Sequence, residues 1–494
     1  MIFHAFPTNT PKRLEDTKKE NAPEPTLEEL YLRTADKPVP APAQLPATVP
    51  ALKQYRFIES SVYPNLETNI HAEVLNYSQE KIPDIRSELS IGRHGKDTPF
   101  RPYTAVKTWV NNMIDKVSKD EEVSISYNTT VEHVEKDEST NTWTVTLRQS
   151  IEGQDEDHWW TEAFDAVVVA NGHYFVPWVP AIEGLPEFQA SSPDAVLHSK
   201  HYRNKELYRN KRIVVVGASI SGADLAFALA DIVAAPLTAV VRGKYNIFFG
   251  DHAFQHPCIV RKPSITKIET TGTQATVYFE DGTSLEAVDH IIFGTGYTWT
   301  LPFLPCVKIT NNHPEALYQH VFWQNDPSLC FVGAVQAGFT FKIFEWQAVV
   351  TARFLAGRCE LPTLAEQVKW MEERKALTGD GPSFAALFDN DPSNVVDHFE
   401  GLRLLAGEPT KLEDGRIVGR VLPKFEQKWM DAYYEGHSLR IQMWKKGNEA
   451  ARQRLAAAQE ELEAKSVPLP ATEYFDEKVA METTIEVPAV RTLA

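Results

Sequence analysis

Within residues 211–231 a short β-branched run, Ile213–Val216, leads into Gly217, Ser219, Ser221 and Gly222, and an alanine-rich stretch follows. Those residue types at that spacing suit a strand that turns sharply into a helix. Gly217 permits the turn, small Ser219 lets backbone come close to a ligand, and Gly222 lets the helix pack tightly on the strand. The amides between Ser219 and Ala223 open a helix without acceptors of their own, and an anionic pyrophosphate would satisfy them. Ser219 stands where the dinucleotide fingerprint usually carries its second glycine. The next strand, residues 237–241, ends in Arg242 and not in a carboxylate. A carboxylate there binds a ribose 2′-hydroxyl, whereas a guanidinium forks onto a 2′-phosphate. The expected nucleotide is therefore NADPH, not NADH.

The remaining composition narrows the partners. A formal net charge of −17 repels phosphate backbones and anionic membranes, so no nucleic acid is expected and a small molecule is. Four dispersed cysteines, Cys258, Cys306, Cys330 and Cys359, make neither a disulfide framework nor a zinc cage, and no Cys-x-x-Cys occurs. Asp251, His252 and His256 have helical His-x-x-x-His spacing but lack a third ligand, so no metal is expected. No apolar run reaches membrane-spanning length, and a cytoplasmic location is expected.

The elements that must position the turn follow from periodicity. Residues 1–55 are rich in Lys, Glu and Pro and read as an extended, partly disordered segment with one short helix over 26–33. The first glycine is Gly92, so no second dinucleotide turn is expected upstream. Residues 103–117 carry helical spacing; 123–127, 131–134 and 143–147 alternate as strands, with a turn over 138–141. The Trp159-Trp160 pair reads as a hairpin edge. Apolar strands ending in glycine turns recur at Ala166-Val-Val-Val-Ala-Asn-Gly-His-Tyr174, at Val288 to Tyr297 and at Leu329 to Ala334. A hairpin over 276–285 separates the first two, and a helix over 344–356 follows the third. Beyond Leu361 the pattern is helical, ending in a solvated helix over 449–465 and a loose tail.

Taken together, Leu66-Glu-Thr-Asn69, Ala170-Asn-Gly-His-Tyr174, His198-Ser-Lys-His-Tyr202, Gly217 to Gly222, Gly294-Thr-Gly-Tyr297 and Phe331-Val-Gly333 resemble the flavin-containing monooxygenases, the FAD- and NADPH-dependent class B group. The resemblance implies an α/β fold of two Rossmann-like, three-layer dinucleotide-binding domains with a helical C-terminal extension. On it the FAD domain occupies 56–200 and 301–365, the inserted NADPH domain 201–300, and the extension 366–494. It also implies a reaction: NADPH reduces FAD, O2 adds at flavin C4a, and the hydroperoxide passes one oxygen to a sulfur or nitrogen of a small molecule.

The resemblance places Asn69 beside the flavin, where a neutral amide hydrogen-bonds the peroxide without protonating it. It assigns Gly217, Ser219, Ser221, Gly222 and Arg242 to NADPH. To the cofactors it further assigns Leu66, Thr68, Val131, Ala170, Asn171, Gly172, Thr295, Tyr297, Gly333 and Gln336. His198 and Tyr202 match the end of an interdomain linker, and a tyrosine at 202 points to heteroatom oxygenation. The chain departs from the pattern where the segment from Phe188 to His198 is long and lacks its glycine, where Asn171 replaces a commoner Thr, and where the FAD glycine loop is missing. The alternative is a truncated NADP-binding protein that holds no FAD.

Overall fold

The computed structural model describes residues 38–52, 61–151, 153–336, 338–387 and 392–465. The helix expected over 26–33 and the tail beyond 465 lie outside them. Ala47–Pro50 (β1) is followed by Ala72–Leu75 (α1), Glu88–His94 (α2) and Tyr103–Val117 (α3). Thr129–Asp137 (β2), Thr142–Ser150 (β3) and Glu156–Phe164 (β4) complete an antiparallel sheet in the order β1-β4-β3-β2.

This sheet corrects three expectations. Residues 47–50 are a strand and not part of a loose linker, with Ala47 opposite Trp159 and the Leu52 amide donating to the Asp157 carboxylate at 2.9 Å. Proline is tolerated because β1 is an edge strand. β4 is consequently an inner strand, so the Trp159-Trp160 pair does not sit at a hairpin edge, and Trp159 is buried. No strand forms over 123–127: Asn128 adopts a left-handed turn (φ 54°), and pairing begins at Thr129.

Val167–Val169 (β5) comes next, then Leu185–Ser191 (α4) and Val196–His198 (β6). The glycine-turn unit is Ile213–Val216 (β7), Ile220–Leu229 (α5) and Leu237–Val240 (β8), followed by Ile259–Lys262 (β9). Ile265–Thr271 (β10), Gln274–Phe279 (β11) and Ser284–Val288 (β12) form an antiparallel meander, and His290–Phe293 (β13) returns to the main sheet. That sheet is wholly parallel, in the order β9-β8-β7-β13-β6. Its edge strand β6 precedes residue 201, where the NADPH segment was expected to begin; three residues are too few to show a period.

Strand alternation divides the core. Ile213, Val215, Ala239 and Ile292 face Ala223, Ala226 and Leu229 of α5, while Val214, Val216, Ile291 and Phe293 face Ile268, Val277 and Phe279 of the meander. Helix, sheet and meander thus form three layers. Leu317–Tyr318 (β14), Phe322–Trp323 (β15) and Leu329–Phe331 (β16) extend to β5, and β16 pairs with it in parallel.

Thr340–Leu355 (α6), Leu364–Thr378 (α7), Ser393–Ala406 (α8) and Gln427–Lys465 (α9) follow. Trp346, Phe399 and Trp429 form an aromatic cluster joining α6, α8 and α9. Residues 449–465 form a separate unit, with an Arg452–Glu449 ion pair at 3.5 Å. Among the described residues no helix is long and apolar enough to cross a membrane.

A buried histidine pair makes this helical region acid-sensitive. His320 and His398 have ring centroids 5.8 Å apart, and burial pushes both imidazoles below their ordinary value, His398 to about 3. Arg374 lowers both further, as do His398 and His313 for His320. Above about pH 6.5 neither the folded nor the unfolded chain protonates these rings. Below it only the unfolded chain does, so stability is lost as pH falls from about 6.5 toward 3, by up to ~1.4 kcal/mol per pH unit for each excluded proton. The urea midpoint should drop between pH 7.5 and 5, and His398→Gln should show a shallower pH slope.

Candidate dinucleotide cleft

Three glycines bring the ends of β7, α5 and β13 together. Gly217 has φ 120°, and a Cβ there would lie 2.5 Å from the Gly294 carbonyl oxygen. A Cβ on Gly222 would lie 2.0 Å from the Gly217 carbonyl oxygen, and one on Gly294 would lie 2.7 Å from the Gly222 nitrogen. Only hydrogen fits at any of the three. The first helical bond runs from the Ala223 amide to the Ser219 carbonyl at 2.9 Å. The Ile220 and Ser221 amides precede it on the cleft side, without an intrahelical acceptor.

The turn opens on a cleft of about 4200 Å³. A single small ligand fills roughly 300–1,000 Å³, so the space admits more than one dinucleotide. Of the residues singled out in the sequence, Leu66, Thr68, Asn69, Tyr202, Gly217, Ser219, Ser221, Arg242, Thr295, Tyr297 and Gln336 line it. Gly222 lies behind the wall, in contact with Gly217.

Other positions fall elsewhere. Val131 packs on the core beneath the antiparallel sheet. Ala170, Asn171 and Gly172 are exposed beyond β5. The Gly333 amide donates to Gln347 Oε1 at 2.8 Å. None of these five is among the cleft-lining residues. His198 is also outside the lining; its ring is buried, and that burial pushes it down to about 3, so it is neutral at pH 7.

Asn69 is held by its loop. The Leu66 amide bonds to the Tyr63 carbonyl at 3.0 Å, the Tyr103 amide to Leu66 at 2.9 Å, and the Thr68 amide to Arg101 at 2.8 Å. The Arg101 amide returns a bond to Thr68 Oγ1 at 3.0 Å. These contacts fix the loop against the start of α3. Gln336 is fixed likewise: its amide bonds to the Ala385 carbonyl at 2.7 Å and its carbonyl accepts from the Leu387 amide at 3.0 Å.

Several cleft residues escaped the sequence reading. Arg93, Phe248, Tyr433 and His437 line it from distant segments that carry no local motif, and Tyr63 opens the loop that leads to Asn69. Lys244, also in the lining, lies two residues beyond Arg242 and could have been found from that spacing. His252 is not grouped with His256; among the described residues, donor atoms of Asp231, His256 and Cys258 lie within 4.8 Å of one another. His256 has both ring nitrogens engaged, Nε2 at 3.3 Å from Asp231 Oδ1 and Nδ1 accepting the Cys258 amide at 3.2 Å.

A glycine-pinned strand–turn–helix on a parallel sheet, opening on a cleft of this size, defines an α/β dinucleotide-binding protein. The family profile described as "Flavin-binding monooxygenase-like" matches residues 105–249 and 255–390. The chain belongs to that family, whose cofactors are FAD and NADPH. It is 30% identical over 298 residues to a trimethylamine monooxygenase of Methylocella silvestris, covering 55% of this chain and 63% of that protein. It is also 30% identical over 258 residues to senecionine N-oxygenase of Tyria jacobaeae, covering 50% and 53%. The chain thus spans about half to two thirds of the length of these curated relatives. The fold is similar to that of S-allyl-L-cysteine S-oxygenase from Allium sativum, with TM-score 0.60 and 24% identity over 82% of this chain and 85% of that one.

The close approach at Gly222 gives a direct test. Gly222→Ala should force β7 and α5 apart, lowering stability by about 1–3 kcal/mol and weakening NADP+ binding, as read by thermal melting and calorimetric titration.

Proposed function

We propose that the chain acts as an NADPH- and FAD-dependent monooxygenase that oxygenates a sulfur or nitrogen centre of a small molecule. The observation that carries this reading is the placement of Asn69, Tyr202 and the 217–222 turn on one cleft. The printed names of two relatives, a trimethylamine monooxygenase and a senecionine N-oxygenase, support nitrogen as an acceptor.

The residues present suit NADPH. The Ile220 and Ser221 amides would take its pyrophosphate, and Arg242 with Lys244 would take its 2′-phosphate. Leu66, Thr68, Thr295, Tyr297 and Gln336 would border FAD. The chemistry these groups supply when bound is hydride transfer and activation of O2. The chain's own task is orientation and exclusion of water. Asn69 offers an amide N–H that hydrogen-bonds without yielding a proton at neutral pH. Tyr297 serves similarly: burial first of all pushes its phenol up to about 12, so it remains a neutral hydrogen-bonding group.

A second reading, NADP binding without flavin, is favoured by Val131, Ala170, Asn171, Gly172 and Gly333 standing outside the cleft lining. Flavin titration separates the two: the first requires a yellow, reconstitutable chain that consumes NADPH in air, and the second a colourless one.

Arg242→Glu should weaken NADP+ by tenfold or more while leaving NAD+ little changed, as measured by calorimetry; equal effects on both would contradict the phosphate role. Asn69→Asp should raise the hydrogen peroxide released per NADPH consumed, measured with a peroxidase assay.

A further inference from the structure

Helix α2 turns one face to the cleft, contributing Leu89, Ser90, Arg93 and His94. Arg93 is exposed, and among the described residues no carboxylate or hydrogen-bond acceptor engages its guanidinium. Beside it stands a wall of phenols: the Tyr63 ring meets Tyr202 edge-on at 5.2 Å, and Tyr202 stacks on Tyr208 at 6.2 Å. Tyr63 belongs to the same short loop as Asn69, with the turn at Leu66 drawing the two ends together.

The region is electropositive in a chain of net charge −17. Arg440 lines the cleft from α9, paired with Asp224 of α5, its guanidinium 4.9 Å from the Phe249 ring centre. His94 records the local field: burial, then Arg93, Arg440 and Lys446, push its imidazole down to about 4. Arg93, Arg440 and Lys446 act on His94 together, and among the described residues only Arg440 of the two arginines is paired, with Asp224. Under the proposed function the NADPH phosphates are assigned to the Ile220 and Ser221 amides and to Arg242 with Lys244, and Arg93 is assigned to none of them.

We propose that Arg93 is an anchor for a carboxylate on the substrate, so that the molecule oxygenated is an anionic, carboxylate-bearing thioether or amine and not a neutral one. The inference rests on the proposed function for the reaction, but the anchoring is a binding property of the cleft alone. Arginine suits the task because its planar fork matches a carboxylate in two hydrogen bonds, and the Tyr63–Tyr202 wall offers an apolar surface for the rest of the ligand.

The test is equilibrium dialysis of the full-length chain, without cofactors, against 4-(methylthio)benzoate and its methyl ester, with NADP+ titrated separately. The wild-type chain should hold the acid about tenfold more tightly than the ester, as one charge-assisted contact allows. Arg93→Gln should remove that preference, leaving ester and NADP+ affinities unchanged, and Arg93→Lys should restore part of it. Matching circular dichroism of the variants excludes a folding effect. The proposal is overturned if the wild type does not prefer the acid, if Arg93→Gln keeps the preference or weakens acid and ester alike, or if NADP+ weakens as much as the acid, which would assign Arg93 to a cofactor phosphate. A chain that prefers the acid through Arg93 yet oxygenates neither compound with NADPH would refute the proposed function and leave the anchor standing.

Discussion

The close approach of three backbone segments at Gly217, Gly222 and Gly294 is the constraint on which the rest depends. It draws the carboxyl ends of β7 and β13 against the first turn of α5, where a single added methyl group would meet a carbonyl oxygen. Because the helix begins there, its unpaired amides and the positive end of its dipole face the cleft and not the sheet. The three-layer core behind the turn keeps this arrangement rigid: α5 is pinned by Ala226 and Leu229 on one face of the sheet, and the meander closes the other.

The cleft also gathers groups from far apart in the chain. Loop 63–69, helix α2, the Tyr202 segment and the first part of α9 converge on one space. Each is held by its own contacts: Thr68 by Arg101, Arg440 by Asp224, Gln336 by residues 385–387. Within an acidic protein the cleft gathers Arg93, Arg242, Lys244 and Arg440 together with Glu67 and Asp224, so charge there is set by position and not by the overall balance.

What was legible in the sequence was what local periodicity dictates. The helix over 103–117, the strand Ile213–Val216, the turn over 138–141 and the hairpin over 276–285 appear where spacing and turn residues put them. β1 was not legible, since four residues flanked by proline have no period and gain their structure only by pairing with β4 more than a hundred residues away. The cleft was legible as far as its motifs reach, at 66–69, 217–222, 242 and 295–297. Its α2 and α9 walls were not, because Arg93 and Arg440 acquire meaning only when folding brings them beside Tyr63 and Asp224. Val131 and Gly333 stand outside the cleft lining, one packed on the core beneath the antiparallel sheet and the other bonded to Gln347.

Amide hydrogen exchange of the wild-type chain, with and without NADP+, tests the central claim most directly. The account predicts slowed exchange at Ile220 and Ser221, together with the loop after β8 that carries Arg242. Nucleotide-induced protection confined to other segments, or none at residues 220 and 221 under saturating NADP+, would contradict it.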